Sequence, residues 1–450
     1  MRKTYTRPER VREHFGIQIQ NPTTDLEKTQ NTMVTSVNAR TYLDLSDVVI
    51  HSFWSDTISG IQRVQLCIGA AIAKSVPGTT AFFLYENVRF DITSLVRNYI
   101  DKPDDVFASL RHRYSYLGHY PTIYQPLQRF RRGLHPLLRH NSNRLKPTSA
   151  DTLFVAGAFC AKPNNLDYYQ ELGKKGVKLV GLLHDLLPIL YPHLTGHDFS
   201  AEMERFLRLP MHIIVPSEFT AGDLRRAIKE CKASTPLSLH TVQLAHEFPG
   251  SPRNESARRP SERLAKLVGS REFALYVSTI EIRKNHLRLF QVWQDLIAEC
   301  PEGLPYLVVA GKRGWKAEQA LNILDQADAL AHRLIFIESP TDLELKWLYA
   351  SCQFTVFPSI FEGWGLPVGE ALWFGKPCIA SKATSISEVG GDLCLYFSPD
   401  DPREMKDAIK TMLERETRKK FSRRIRNAPL RNWNQVGDEI AEIIRTGRKV

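Results

Sequence analysis

The sequence lacks the features of a membrane-spanning or disulfide-stabilised protein. Its 450 residues contain no apolar run that reaches the ~20 residues of a bilayer-spanning helix. The N-terminal stretch MRKTYTRPERVREHFG is charged and has no apolar segment behind it, so it does not read as a secretory signal. The seven cysteines are scattered and never form a C-x-x-C pair, which favours reduced thiols. We therefore expect a soluble, cytoplasmic protein.

Acidic residues are absent from one long segment of a chain whose formal net charge is +11. Residues 111–147, the basic insertion, carry only basic charges, interleaved with aromatic residues and leucines. Three interpretations stay open: a solvated insertion, a nucleic-acid site, or a patch on anionic lipid, where each Lys or Arg contributes ~1 kcal/mol. No zinc-finger spacing, RNP-type aromatic motif or helix-turn-helix signal occurs in the sequence. We therefore expect no nucleic-acid partner.

Apolar runs alternate with helix-period segments after a polar tail over residues 1–38. Runs such as TYLDLSDVVI, TLFVAGAF and KLVGLLHDLLPI are typical of strands joined by crossover helices, which predicts an α/β fold with parallel sheets. The polar residues 251–263, rich in Pro and Arg, interrupt this rhythm and predict a linker beside a ligand-binding cleft. The predicted parts are an N-terminal domain at 39–250, a C-terminal domain at 264–430, and a helix over 431–450 that could cross back to the N-terminal domain.

Basic residues follow two of the predicted strands in the second half. After FALYVST, the segment IEIRKNHLRLFQVWQDLI predicts a helix that opens with Arg283, Lys284, Asn285 and His286. Cationic side chains beside the free N–H groups of a helix N-terminus form an anion site, and ligands of open α/β sheets bind beyond the strand ends. The turn KRGW after PYLVVAG is a second basic turn in an equivalent place. We therefore expect phosphate binding in this half.

The stretch FEGWGLPVGEALWFGKPCIAS places Glu362 and Glu370 eight positions apart. Gly363 and Gly365 allow the backbone to approach a ligand closely, and the proline that follows suits the start of a helix over residues 367–374. Glu362 would then precede the helix, and Glu370 would lie in its first turn. Carboxylates accept hydrogen bonds from sugar hydroxyls, and free N–H groups favour a phosphate. A capped helix with ordinary first-turn acids is the alternative.

This loop resembles the E-x7-E loop of glycosyltransferase family 4. YVSTIEIRKNH, VVAGKRGW, SISEVGGDLCLYFSPDDP and RNWNQVGDEI occur in the order of similar segments in that family, and SGIQRV, LLHDLLPI and VPSEFTAGDL resemble its acceptor-side loops. The resemblance covers roughly residues 40–445 and is stronger after residue 270. It implies the GT-B fold, in which two Rossmann-like domains with parallel sheets face each other across a cleft.

The resemblance also implies a role for each matching residue. Glu362 would bind hydroxyls of the transferred sugar, and Glu370 would bind the ribose of the nucleotide. Lys284 would neutralise the leaving diphosphate, and His184 would lie near the reacting carbon. The other implied donor-binding residues are Gly60, against the diphosphate, and Gly363, Trp364, Gly365 and Leu366 of the loop.

The sequence departs from the family at one phosphate-binding cation. Many members have an arginine six positions before the lysine, where this chain has Ser278. Arg283 and Arg313 are the candidate replacements. His184 has an alternative role, because H-D after an apolar strand can cap the next turn. A zinc role for His184 is disfavoured, since no His or Cys follows it at ligand spacing.

The expected enzyme is a retaining hexosyltransferase that uses neither a cofactor nor a metal. No D-x-D triplet of the metal-recruiting kind occurs in the sequence, and Lys284 with backbone N–H groups would stabilise the leaving diphosphate in a dry cleft. No carboxylate nucleophile is evident, which favours same-face attack assisted by the leaving phosphate. The resemblance implies a nucleotide-sugar donor, GDP-mannose before UDP-sugars. It also implies a lipid-linked saccharide acceptor for surface polysaccharide synthesis, met at the inner face of the plasma membrane.

Two other classes of function stay open. An NDP-sugar epimerase or a sugar phosphorylase could use a similar fold, although the E-x7-E loop argues against the first and no Schiff-base lysine motif supports a pyridoxal enzyme. A non-catalytic sugar-nucleotide-binding protein would keep the same residues, so only turnover distinguishes it from a transferase.

Overall fold

The computed structural model describes residues 39–53, 55–85, 88–114, 146–157, 163–231, 236–299, 301–326 and 328–447. The predicted polar tail and residues 115–145 of the basic insertion lie outside these ranges. Within them, the chain forms two β-sheets flanked by helices. The sequence-based prediction of an α/β fold with two parallel sheets is confirmed.

The first sheet is built from residues before position 242. Its strands are β1 Thr41–Asp44, β2 Thr80–Tyr85, β3 Val88–Asp91, β4 Thr152–Val155, β5 Lys178–Leu182, β6 Met211–Val215 and β7 Ser238–Thr241. The seven strands lie in the order β3-β2-β1-β4-β5-β6-β7. All neighbours are parallel except β2 and β3, which are antiparallel. Only two residues separate β2 from β3 in the sequence, too few for the crossover that a parallel pair needs.

The second sheet is parallel throughout. Its strands are β8 Phe273–Val277, β9 Tyr306–Gly311, β10 Leu334–Glu338, β11 Phe354–Phe357, β12 Cys378–Ser381 and β13 Cys394–Phe397. The six strands lie in the order β10-β9-β8-β11-β12-β13. Strands such as β8 and β11 are apolar and almost wholly buried, as expected of parallel strands covered on both faces.

The helices that accompany the first sheet vary from one to more than four turns. They are α1 Ser46–Ser52, α2 Gly60–Ser75, α3 Thr93–Val96, α4 Pro103–Tyr114, α5 Pro163–Lys174, α6 Leu187–Leu190, α7 Ser200–Leu207 and α8 Glu218–Cys231. A short 3₁₀ turn, Pro192–Leu194, follows α6. Helix α2 is the longest of this set and is buried along most of its length, between its first turn and Ala73.

The helices that follow belong to the second sheet, apart from the last. They are α9 Glu262–Leu267, α10 His286–Glu299, α11 Glu318–Leu324, α12 Ala329–His332, α13 Asp342–Ser351, α14 Leu366–Trp373, α15 Ile386–Gly390, α16 Pro402–Leu413, α17 Arg415–Asn427 and α18 Trp433–Thr446. A 3₁₀ turn, Ile282–Lys284, precedes α10. In the described ranges, no helix combines the length and the apolar character that a bilayer span requires.

The last helix, α18, packs on the first sheet's side of the molecule. Gly437 lies so close to Ala71 of α2 that a Cβ atom at Gly437 would overlap it. The Lys178 ammonium of β5 donates hydrogen bonds to the carbonyl oxygens of Ile444, at 2.7 Å, and Ile443, at 3.4 Å. A cation at the C-terminal end of a helix satisfies its free carbonyl groups and opposes the negative end of the dipole.

Strand order reverses between β1 and β4 in the first sheet and between β8 and β11 in the second. At such a switch point the connections leave to opposite sides, and a crevice opens beyond the carboxyl ends of the strands. The segment after β1 leads to Gly60, the one after β8 holds Lys284, and the one after β11 holds Glu362. The topology therefore brings these residues to the strand ends where ligands bind.

Two helix starts differ from the sequence-based prediction. Helix α14 begins at Leu366, one residue early, and ends at Trp373, so Glu370 lies in its second turn rather than its first. Arg283 and Lys284 belong to the 3₁₀ turn rather than to the helix, because Asn285 adopts a left-handed conformation with φ of 60°. Asparagine tolerates this conformation better than most residues, and it separates the two basic residues from α10.

Candidate active site

A cleft of about 490 Å³ lies where the two sheets meet. The predicted site residues that line it are Gly60, His184, Ser278, Arg283, Lys284, Glu362, Gly363, Trp364, Gly365, Leu366 and Glu370. Arg313 does not line the cleft. Its guanidinium pairs with Asp325, at 2.6 Å, and Glu338, at 3.3 Å, on a more exposed surface. Of the two arginines expected to replace the missing phosphate cation, only Arg283 therefore reaches the site.

Glu362 is held by two cations from the segment after β8. The Lys284 ammonium donates to Glu362 Oε1 at 2.5 Å, and Arg283 Nη1 donates to Glu362 Oε2 at 2.9 Å. Arg283 Nη2 also pairs with Glu281 at 2.8 Å. Lys284 and Glu362 are both more than nine-tenths buried. In the sequence these residues belong to two separate motifs. The motifs meet because β8 and β11 are neighbouring strands.

The charge state of this cluster follows from its contacts. Burial would raise the pKa of Glu362, but the charges of Lys284 and Arg283 outweigh it and lower that pKa to about 2. Burial, with Arg283 close by, lowers the pKa of Lys284 from its ordinary value, although Glu362 opposes the shift. The carboxylate of Glu362 is therefore ionised at neutral pH. It keeps lone pairs free for further donors, because each carboxylate has about four acceptor sites.

Close contact with the first half of the chain dictates the glycine at position 363. A Cβ atom there would overlap the carbonyl oxygen of His184 and lie 3.1 Å from Asp185 Cβ. The carbonyl of Gly363 accepts a hydrogen bond of 2.9 Å from Ser217 Oγ, which also belongs to the first half. Any side chain at this position would therefore push the two halves apart.

Hydrogen bonds between side-chain hydroxyl groups and the backbone fix the rest of the loop. Gly365 has φ of 107°, a conformation that favours glycine, and caps α14. Ser385 Oγ donates to the carbonyl oxygens of Glu362, at 2.8 Å, and Trp364, at 3.1 Å. Thr384 Oγ1 accepts from the Glu362 N–H at 3.0 Å. These hydrogen bonds hold the loop backbone in place around Glu362.

His184 faces the cleft as a neutral ring. Its Nε2 lies 2.7 Å from the carbonyl oxygen of Ala156, and since a carbonyl only accepts, Nε2 carries the proton. Burial lowers the pKa of His184, although the Ala156 carbonyl and Asp185 oppose the shift. The hydrogen bond that supports the next turn comes instead from Asp185 Oδ1, which accepts from the Leu187 N–H at 3.1 Å. The alternative capping role therefore falls to Asp185.

Glu370 accepts hydrogen bonds from both halves of the chain. Tyr349 of α13 donates its hydroxyl to Glu370 Oε2 at 2.8 Å, and Arg63 Nη1 of α2 donates to Oε1 at 2.7 Å. Arg63 Nη2 pairs with Asp342 at 2.5 Å. Sequence reasoning missed Arg63, although the residue is part of the SGIQRV segment. Its position in the first turn of α2, next to Gly60, was the available signal.

Lys312 is the first residue of the basic turn KRGW, but it was not named as a site residue from the sequence. It follows β9, lines the cleft, and donates to Ser55 Oγ at 2.6 Å and to the Thr57 carbonyl oxygen at 3.2 Å. Among the residues that the structure describes, no carboxylate pairs with Lys312. Ser278, where many members of the family that the sequence resembles have an arginine, is 3.1 Å from His286 Nε2. A Cβ atom at Gly311 would overlap the Ser278 carbonyl oxygen, so Lys312 follows a residue packed directly on Ser278.

The second half of the chain matches a glycosyltransferase family model, and about half of the chain is similar to mannosyltransferases. Residues 261–428 match the family model "Glycosyl transferases group 1". The O-antigen chain mannosyltransferase B of Escherichia coli is 28% identical over 228 residues, which cover 50% of this chain and 58% of that protein. The serotype-specific mannosyltransferase WbdA of Escherichia coli is 28% identical over 253 residues, 53% of this chain and 29% of that protein. The aligned region thus spans less than two thirds of either relative.

Solved structures resemble nearly the whole chain. Sucrose-phosphate synthase from Thermosynechococcus elongatus has a TM-score of 0.58 at 16% identity and covers 91% of this chain and 98% of its own. Anabaena Alr3699/HepE in complex with UDP and glucose has a TM-score of 0.57 at 14% identity, covering 91% and 100%. At these identities the likeness concerns the fold alone. The fold is GT-B, with two sheets of parallel strands facing across a cleft.

Proposed function

We propose that the chain is a retaining glycosyltransferase that moves a hexose from a nucleotide-sugar to a saccharide acceptor. The observation that carries this proposal is the buried Glu362–Lys284–Arg283 cluster, which joins the strand ends at the switch point of the second sheet. A carboxylate for sugar hydroxyls then lies beside a cation for a diphosphate. The group 1 match over residues 261–428 covers this cluster and supports the same reading.

The leaving diphosphate would lie between Lys284 and the N-terminal ends of α2 and α14. Both ends line the cleft, and a Cβ atom at Gly60 would lie 3.3 Å from Leu366 Cδ1. Backbone N–H groups and a buried ammonium stabilise developing negative charge most strongly where water is excluded. Lys312 takes the place of the arginine that Ser278 replaces, because it faces the cleft and contacts only neutral oxygens in the described part of the chain.

The acceptor hydroxyl would attack the sugar from the face that the diphosphate leaves, and its proton would pass to a leaving phosphate oxygen. Glu362 would bind the hydroxyls of the transferred sugar, and the neutral His184 would lie beside the reacting carbon. This route forms one sugar–oxygen bond as another breaks and needs no covalent intermediate with the protein. Lys284 and the backbone N–H groups supply positive charge to the leaving group, so the route uses no metal.

Mannose from GDP-mannose is the first donor to test, because the relatives matched include O-antigen mannosyltransferases. The acceptor proposed is a lipid-linked saccharide in surface polysaccharide synthesis, with the basic insertion resting on anionic lipid at the inner face of the plasma membrane. The insertion begins in the last turn of helix α4 with three basic residues, Arg111, His112 and Arg113.

A donor-hydrolysis screen tests the proposal. The protein would be incubated with GDP-mannose, UDP-glucose and related nucleotide-sugars, and free nucleoside diphosphate would be measured. We expect one donor to be hydrolysed slowly, and a Glu362→Gln variant to lose that activity. Binding without turnover for every donor would favour a non-catalytic sugar-nucleotide-binding protein. An altered sugar that stays attached to its nucleotide would favour an epimerase.

A further inference from the structure

Arg63 is a buried cation that links the two halves of the molecule. It lies in the first turn of α2, and 6% of its surface is exposed. Its guanidinium bonds Glu370 of α14 at 2.7 Å and Asp342 of α13 at 2.5 Å, and it stacks on the Phe248 ring at 4.6 Å. Every group within this set is buried or nearly so, and the two carboxylates belong to the opposite half.

A buried ion pair of this kind is poor evidence for added stability. Removing two charges from water costs about as much as their attraction returns, so apolar replacements are often neutral or stabilising. What such a pair can fix is geometry, because a guanidinium binds carboxylates only in defined orientations.

The pair joins the two helices whose N-terminal ends line the cleft. Arg63 is the fourth residue of α2 and Glu370 the fifth residue of α14. Their hydrogen bond lies one turn below Gly60 and Leu366, which are in close contact. Arg63 therefore sets the spacing of two rows of free N–H groups that face the proposed diphosphate.

The same contact leaves Glu370 able to bind a ligand. A carboxylate offers about four acceptor sites. Arg63 takes a site on Oε1 and Tyr349 takes a site on Oε2. Sites remain on both oxygens for ribose hydroxyls, and Arg63 limits the directions from which those hydroxyls can approach.

We propose that Arg63 is a positioning residue for donor recognition. From the first half of the chain, Arg63 orients the Glu370 carboxylate towards the ribose hydroxyls. Glu370 therefore binds the ribose in the correct geometry only when the two halves are in contact. This inference rests on the proposed function, because it requires a nucleotide in the cleft.

Nucleotide binding to an Arg63→Gln variant tests the inference. Dissociation constants would be measured by calorimetry for GDP, UDP and their 2′-deoxy counterparts. We expect Arg63→Gln to weaken binding of the preferred nucleotide by about tenfold, the effect of losing one hydrogen bond to a charged group. We also expect the preference for ribose over 2′-deoxyribose to fall towards one. The matched control is Lys74→Gln, which removes an exposed ion pair with Asp101 from the same helix and should change neither value.

A double-mutant cycle separates positioning from simple structural support. If Arg63 acts through Glu370, then Arg63→Gln added to Glu370→Gln should weaken binding less than twofold further. Arg63→Lys, which keeps the charge but loses the planar fork, should give the same fall in ribose preference and remains informative if Arg63→Gln does not fold. A lower melting temperature with an unchanged ribose preference would overturn the inference. Failure of the wild-type protein to bind any nucleoside diphosphate would instead overturn the proposed function, and the inference with it.

Discussion

The two halves of the chain contribute different chemistry to one cleft. The second half supplies most of the charged side chains. Glu362, Lys284 and Glu370 are buried, Arg283 is partly buried, and all four are paired with one another or with neighbours. The first half supplies the N-terminal end of α2, the His184 carbonyl and hydroxyl groups such as that of Ser217. The first half also contributes two charged residues to the cleft, Asp185 and Arg63, and Arg63 pairs with carboxylates of the second half. In the proposed reaction, donor binding would therefore depend mainly on the second half, and the first half would shape the space around it.

Removing the Glu362 carboxylate should have the largest effect. Glu362→Ala deletes hydroxyl contacts that strengthen in the transition state and leaves Lys284 and Arg283 without their shared partner. We expect kcat to fall by at least about 100-fold, or ~2.7 kcal/mol, and donor affinity to change less. Single-turnover kinetics with the preferred donor would measure both, with circular dichroism as the folding control. Wild-type turnover in this variant would remove Glu362 from the mechanism.

A methyl group at Gly363 should break the contact between the halves. Gly363→Ala places Cβ onto the His184 carbonyl oxygen, so the loop or the first half must move. We expect nucleotide affinity to fall by about tenfold or more and small-angle scattering to show a larger radius of gyration. Gly222→Ala in α8 is the matched control, because nothing lies within 4 Å of a Cβ there. Helix propensity predicts a gain in stability of up to ~1 kcal/mol for that control. Equal behaviour of the two variants would contradict the assigned contact.

Charge removal from the basic insertion should affect membranes and spare the donor. Replacing Arg129, Arg131, Arg132 and Arg139 with Gln should reduce binding to anionic vesicles, most clearly at low salt, since ~0.1 M salt screens charges beyond about 10 Å. Hydrolysis of the soluble donor should stay unchanged, because the charges proposed to contact the donor, Glu362, Lys284 and Glu370, lie in the second half. Co-sedimentation at two salt concentrations would measure the first effect. Equal binding by both proteins at both salts would leave the insertion as a solvated segment.

Activity should vary little with pH on the acidic side of neutrality. The pKa of Glu362 is about 2, and burial lowers that of His184 from its ordinary value near 6.5, so neither group changes charge as pH falls from 8 to about 6.5. The lowered pKa of Lys284 has the opposite consequence, because its cation is lost at a lower pH than an exposed lysine would lose it. We therefore expect activity to decline on the alkaline side at a lower pH than the titration of an ordinary lysine would give. An acidic decline centred at 6.5 and abolished by His184→Asn would contradict this.

Removal of divalent metal should have the smallest effect. Excess EDTA should leave donor hydrolysis unchanged, because Lys284 and the helix N–H groups fill the position of a metal in the proposed reaction. The measurement is the initial rate before and after chelation, followed by addition of Mn²⁺ or Mg²⁺. Lost activity that either ion restores would move part of the charge stabilisation from the protein to a metal.

Most of the second-half residues that local signals pointed to line the cleft, because they cluster in short segments. The carboxylates of Glu362 and Glu370 flank one glycine-rich loop. The apolar character of the strands predicted both sheets. The start of α10 could not be predicted, because left-handed Asn285 shifts it past Lys284. The KRGW turn was identified, but neither Lys312 within it nor Arg63 was named as a site residue. Each contacts partners in the other half of the chain, and the neighbouring sequence does not identify those partners.

Two segments of the chain connect the halves, one near His246 and one near Arg431, and they are hydrogen-bonded to each other. The His246 N–H donates to the Arg431 carbonyl oxygen at 3.0 Å, and the Arg431 N–H donates to His246 Nδ1 at 3.2 Å. Glu247 Oε2 accepts from the Trp433 N–H at 2.8 Å, at the start of α18. These hydrogen bonds hold the two connecting segments side by side. A rotation of one half against the other would therefore be centred on these segments, and it would displace the far edge of the cleft most.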